Sequence, residues 1–258
     1  MTFPPVPAGA PLRVSATAYL TWLRCPQQAR SRLDEANPSH ARYPPETIHA
    51  FRGALAHAAI RTHLAAGPIA DADLRDWCRR EVGGSGLNDT MARLRLKPSH
   101  VDGVIEEVGD LYRRFTRLAV DGFRQAEIEL RCVPADDVEL VGRVDAVFDL
   151  PGGGVTLVDW KTGQLGSAQP QLDFYAALWA LTHGAPPTRV EAASVKTGER
   201  FEHRPTAGDI EVTLGIIAEM VTTIRRALHD ETELNRHAGP WCRFCPILDG
   251  CAEGSTAV

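Results

Sequence analysis

The chain has 258 residues, 44% of them hydrophobic and 24% charged, with a formal net charge of −5. That length buries a full core and suits one domain with helical additions, and no apolar run approaches the roughly 18 residues of a membrane span. The acidic balance argues at first sight against a nucleic-acid partner. Six cysteines without a secretion signal point to a reducing, cytoplasmic setting in which thiols stay free or hold metal.

Residues 1–12 (MTFPPVPAGAPL) are rich in Pro and Ala and are expected to form a disordered lead, followed by a single domain over 13–258. SATAYLTWLRCPQQAR reads as a helix that Cys25-Pro26 ends or kinks. FRGALAHAAIRTHL reads as a second helix carrying His57, whereas His49 and His63 are expected at the surface. GGSG at 83–86 breaks a helix and predicts a mobile loop over 83–90. Within 101–126, Ile105, Val108, Leu111, Tyr112, Phe115 and Leu118 recur at helical spacing and predict a core stripe. Basic residues cluster at Arg79 and Arg80, at Arg93, Arg95 and Lys97, and at Arg113, Arg114 and Arg117; each run could line a DNA path or simply form a solvated helix face.

The central segment carries the chemistry. VELVGRVDAVFDL (138–150) and VTLVDW (155–160) read as strands joined by PGGG, so they predict a hairpin. Asp145 and Asp159 then lie roughly opposite each other, and Lys161 projects from the same strand face as Asp159. Two carboxylates that close repel unless a cation lies between them. Mg²⁺ or Mn²⁺ suits such oxygen ligands, lowers the pKa of a bound water and stabilises charge on a phosphate. Lys161 adds a point charge able to orient that water. A helix over 169–178 places Gln171 and Tyr175 on one face, four residues apart. TRVEAASVKTGERFEHRP predicts a second hairpin with Lys196 in its turn, and 207–236 a long helix. Helices, three strands, a helix, more strands and a helix amount to an α/β fold with a mixed sheet flanked by helices.

GALAH (53–57), GRVDAV, VDWKTG and QPQLDFYAAL, in this order, resemble the motifs of the PD-(D/E)XK nuclease superfamily, in particular its RecB/AddB-type exonuclease branch. The resemblance spans about residue 15 to 251 and implies a restriction-endonuclease-like sheet. It also implies that His57, Asp145, Asp159 and the Trp160 backbone carbonyl hold Mg²⁺ or Mn²⁺. Lys161 would be catalytic, and Gln171 and Tyr175 would face the DNA or the active site. Trp160 stands where the family more often has Tyr, and AEIEL offers Glu127 or Glu129, with Glu129 preferred, as the upstream acidic residue.

The tail WCRFCPILDGC sets Cys242, Cys245 and Cys251 in a C-x2-C-x5-C pattern, and Cys25 supplies a fourth thiol. Four thiolates suit a [4Fe-4S] cluster or tetrahedral Zn²⁺. The resemblance favours the cluster, which would join the N- and C-terminal ends structurally. Cys78 and Cys132 read as buried small apolar residues.

The expected function is metal-dependent hydrolysis of DNA phosphodiester bonds in repair or recombination. Two alternatives are a non-catalytic iron-sulfur DNA-binding or helicase-associated module, and a zinc-stabilised protein with no nucleic-acid role. No G-x-x-x-x-G-K-[ST] motif is present, so any unwinding would need a helicase partner.

Overall fold

The computed structural model describes residues 1–34 and 47–258. Strand β1 (Leu12–Ser15) runs directly into helix α1 (Ala16–Arg24), because the Ser15 hydroxyl accepts the Ala18 N–H at 3.2 Å and caps the first turn. Cys25 adopts extended backbone between α1 and α2 (Pro26–Leu33), and Pro26 fills the first position of the new helix, where its missing N–H costs nothing. Helix α3 (Ile48–Ala66) is capped by Thr47, and α4 (Leu74–Gly84), α5 (Leu87–Arg93) and α6 (Pro98–Phe115) follow.

Among the described residues a six-stranded sheet stands at the centre. Strands β2 (Phe123–Ala135), β3 (Val138–Asp149) and β4 (Val155–Lys161) form an antiparallel meander. Helix α7 (Gln169–His183) crosses back to β5 (Arg189–Ser194), which is parallel to β4, and β6 (Arg200–His203) closes the far edge. Helix α8 (Ala207–His229) leads to the cysteine tail, built from two 3-10 turns (Pro240–Phe244 and Leu248–Gly250) and the short α9 (Ala252–Ser255). The mixed sheet flanked by helices is therefore as expected, and Gly153 and Gly154 take positive φ (89° and 83°) in the β3–β4 turn.

The feature that positions the site is a change of partner along one edge of β3. Its first half pairs in parallel with β1, ending at Ser15↔Val141; its second half pairs antiparallel with β4, starting at Ala146↔Val158. Between these two pairings the strand edge is unclaimed. One core, holding Val14, Leu140, Phe174 and Leu214, lies on the α7–α8 side, and a second, holding Phe51, Val108, Phe115 and Trp160, lies on the α3–α6 side.

Several sequence expectations shift. The predicted loop over 83–90 is only residues 85–86, because the Ser85 hydroxyl donates to Glu81 O (2.7 Å) and accepts Leu87 N–H (3.3 Å), joining two helices. The 101–126 stripe buries Ile105, Val108, Leu111, Tyr112 and Phe115, but the helix stops at Phe115 and β2 begins at Phe123. The 207–236 helix stops at His229, since Leu234 and Asn235 leave it to hydrogen bond Gln27 (2.7 and 3.1 Å). His63 is not a plain surface residue: its Nδ1 lies 2.9 Å from the Tyr112 hydroxyl and its ring packs edge-on to Phe115. Residues 1–11 hold no helix or strand, yet Phe3 and Val6 pack against the core, and the buried Arg225 guanidinium donates to the carbonyls of Pro7, Ala10, Asp136 and Asp137. Cys78 is buried and Cys132 half-buried. Among the described residues no helix is long and apolar enough to cross a membrane.

Candidate active site and thiol cluster

Where β3 passes from β1 to β4, a cleft of about 650 Å³ opens, bordered by the first turn of α1, by α3, α7 and four strands. Extending the Ala146↔Val158 register by one residue sets Asp145 across from Asp159. The Asp145 carboxylate accepts the Trp160 N–H at 2.7 Å, which ties it to β4 across the gap. His57 Nδ1 approaches its other oxygen at 3.3 Å from α3.

Asp159 is only 5% exposed. Lys161 Nζ stands 2.7 Å from Asp159 Oδ2 and donates to Gln171 Oε1 at 2.6 Å. Gln171 Nε2 donates in turn to Asp159 Oδ1 (2.9 Å) and to the Tyr175 hydroxyl (3.0 Å). Gly142 allows α7 this close: a Cβ there would lie 3.0 Å from Leu178 and 3.2 Å from the Tyr175 ring. The indole of Trp160 packs against Phe115 and Phe148 on the far face, so this residue meets the cleft through its backbone.

The electrostatics are those of a crowded anionic site. Burial, opposed by Lys161 and reinforced by Asp145, lifts Asp159 to about 6. Its Oδ2 is buried and receives no aligned hydrogen bond, although the Lys161 charge is near. Burial draws His57 down, but the hydrogen bond and charge of Asp145, with Asp159 beyond, outweigh it and leave His57 raised. Burial and the Asp159 charge push the Tyr175 phenol up, so it stays a neutral donor and acceptor.

The structure thus brings together all seven predicted residues of this centre: His57, Asp145, Asp159, Trp160, Lys161, Gln171 and Tyr175. Glu129 also borders the cleft, whereas Glu127 turns away to Arg61 at 2.7 Å. None of the predicted basic clusters does: Arg79 pairs with Asp102, Arg113 with Asp71 and Asp110, and Arg114 donates to Lys196 O. The arginines of the cleft are instead Arg13, Arg131 and Arg143, isolated in sequence and gathered by strand pairing.

Far from this cleft, Cys25, Cys242, Cys245 and Cys251 line one small cavity of about 10 Å³, room for roughly one water. His237, Gly239 and Gly254 direct backbone N–H groups at the sulfurs of Cys25, Cys242 and Cys251 (3.5, 3.4 and 3.3 Å). Burial, and then the other three thiols, push the Cys245 thiol up. Arg236 adds positive charge beside Cys251. All six cysteines are free. As the side chains stand, no three His, Cys, Asp or Glu among the described residues form a group ready to hold a metal ion, either here or at the cleft.

The model of the PD-(D/E)XK nuclease superfamily matches residues 13–252. The chain belongs to that superfamily. Its fold is also similar to a crystal structure of a Eubacterium rectale protein named as a candidate exonuclease, with TM-score 0.55 and 12% identity over 92% of this chain and 86% of that one. A second crystal structure, of a protein named SSO0001, aligns over 79% of this chain and 96% of its own at 16% identity with a TM-score of 0.36, too low to bear on the fold. Among curated proteins, none matches this chain. In a chain of that superfamily, the β3–β4 gap sets two carboxylates and a lysine together.

Proposed function

We propose that the chain is a Mg²⁺- or Mn²⁺-dependent deoxyribonuclease that hydrolyses DNA at ends or in single strands. It would act in repair or recombination within the cytoplasm, as a RecB/AddB-type member. The observation that carries this reading is Asp145 facing Asp159 across the gap, with Lys161 Nζ 2.7 Å from Asp159. Two carboxylates so placed, one of them holding a buried oxygen without an aligned hydrogen bond, are a donor set that a divalent cation completes.

His57, Asp145, Asp159 and the Trp160 carbonyl are the residues that would hold the ion, with His57 giving up its 3.3 Å contact to Asp145. A bound Mg²⁺ or Mn²⁺ supplies a water of lowered pKa and charge for the phosphate. The chain's own groups do the rest. Lys161 carries a fixed positive charge at the mouth of the buried carboxylate. Gln171 holds both Lys161 and Asp159 in place, and Tyr175 holds Gln171. The core behind Trp160 keeps β4 rigid under them.

The tail is read as the seat of a [4Fe-4S] cluster, with Zn²⁺ the alternative. Four thiols, three sulfur-directed amides and Arg236 are the right kind of groups for bound thiolates. The cavity between them, about 10 Å³, is small, so a cluster would need the four thiols to draw apart. Duplex substrate would need a separate helicase.

The test is Mn²⁺-dependent digestion of end-labelled single-stranded DNA by anaerobically purified protein, beside Asp145→Asn, Asp159→Asn and Lys161→Ala. Wild-type rates in all three variants overturn the assignment. DNA binding without cleavage by the parent chain moves it to the non-catalytic module. Iron and sulfide analysis on the same sample decides between cluster and zinc.

A further inference from the structure

We infer that the face of β3 leading away from Asp145 is a track for one nucleic-acid strand, with Arg143 gripping the phosphate next to the scissile one and Arg131 with Arg13 the phosphate after that. This rests on the nuclease reading and specifies how its substrate lies.

The geometry is that of alternation along a strand. Residues 138, 140 and 144 of β3 are buried in the α7–α8 core, so 139, 141 and 143 share the opposite face, toward α3, from which His57 reaches Asp145. Arg143 is two residues from Asp145 on that face, about 7 Å away along the strand. Arg131 of β2 pairs with Val141, another two residues and about 7 Å further. Arg13 of β1 pairs with Glu139 on the other side of β3. Steps of this size match successive phosphates of an extended single strand, and the three arginines border the same cleft as Asp159 and Lys161.

The charges are free to act. Arg143 is exposed and makes no side-chain hydrogen bond or ion pair among the described residues. Its register partner Glu129 borders the cleft but does not pair with it. Arg13 and Arg131 share one carboxylate, Glu139, and their side chains are 71% and 72% exposed, so that end keeps a net positive charge. A net charge of −5 for the whole chain is therefore compatible with a local cationic path.

The experiment walks a single neutral methylphosphonate linkage along an oligodeoxynucleotide. Binding is read by anisotropy in EDTA at several salt concentrations, and cleavage in Mn²⁺. Arg143→Gln is expected to weaken binding and to lower the salt slope by about 1. A neutral linkage next to the scissile position should weaken wild-type binding by the same factor and leave the variant indifferent. Arg131→Gln should show this indifference one linkage further on. Glu129→Gln should tighten binding. Arg143→Gln binding with an unchanged salt slope, or effects of linkage and variant that simply multiply, would overturn the track. Absence of cleavage by the parent chain would fail the nuclease reading alone, because the binding arm reads the track without turnover.

Discussion

Arg61 and Glu127 meet at 2.7 Å, one helical turn beyond the contact of His57 with Asp145. Arg61 follows His57 by four residues on α3, so both project from one face of that helix. Glu127 stands between the pairs Ala126↔Ala146 and Ile128↔Val144, which sets it across from Asp145, and it does so with φ of 48°. A non-glycine residue in that region costs on the order of 1 kcal/mol, and such strain persists where the surroundings over-determine it. The two contacts form parallel rungs that fix how α3 presents His57 to the sheet. Arg61→Ala or Glu127→Ala is expected to weaken Mn²⁺ binding on the order of tenfold, as loss of a supporting contact behind a metal ligand does. Calorimetric titration with Mn²⁺ checks this; unchanged affinity in both variants refutes it.

Asp159→Asn removes a carboxylate that burial has lifted to about 6. The amide keeps the shape and sheds the desolvated charge. In EDTA the variant should melt higher than the parent chain while losing DNA cleavage by at least about 100-fold, a trade of function for stability. Parallel melting curves and digestion assays measure both.

Tyr175→Phe deletes only the hydroxyl that accepts from Gln171 Nε2 at 3.0 Å. Gln171 keeps Lys161 and Asp159, so the loss is that of one neutral hydrogen bond, up to about tenfold in rate. Gln171→Ala, which frees Lys161 and Asp159 together, should cost more. Single-turnover cleavage rates rank the two, and the reverse order would contradict the network.

Asp209 reports on α8 rather than on the site. The Thr206 N–H and hydroxyl, with His203 beyond, hold its carboxyl below the usual carboxylate range. A lowered folded pKa gives stability that is present above the unfolded value, about 3.9, and is lost as pH falls through the folded one. The melting temperature of the parent chain should therefore drop below about pH 4 more than that of Asp209→Asn. Thermal scans across that range decide it.

Cys25→Ser and Cys245→Ser should abolish visible absorbance and bound iron in anaerobic preparations if the tail seats a cluster. Hydrogen bonds between Gln27 or Arg30 and residues 227–235 would still join α2 to the segment after α8. Iron retained at the parent level in both variants removes these thiols from the site.

The acidic pair and its lysine were legible because they lie within one hairpin, whose turn glycines and alternating strands announce themselves. Gln171 and Tyr175 were legible for a similar reason, being one helix downstream. The cleft positions of Arg131 and Arg143, and the contact of Glu127 with Arg61, 66 residues away, were not, since they depend on strand pairing and helix packing. Strand β1 is only four residues long and directly follows a Pro-rich lead, so periodicity had nothing to register. The linker at 85–86 is shorter than its glycines suggested because one serine side chain joins two helices.

The change of partner along β3 has a consequence for how the cleft is assembled. One wall of the cleft comes from residues 12–15 and the other from residues 155–161, far along the chain. Neither wall alone leaves a gap for a substrate, and β1 is held in turn by Arg225 of α8 through the lead. A chain clipped before Val14 therefore keeps Asp145, Asp159 and Lys161 but loses the β1 wall beside them. The enclosure forms only when segments far apart in the sequence have met.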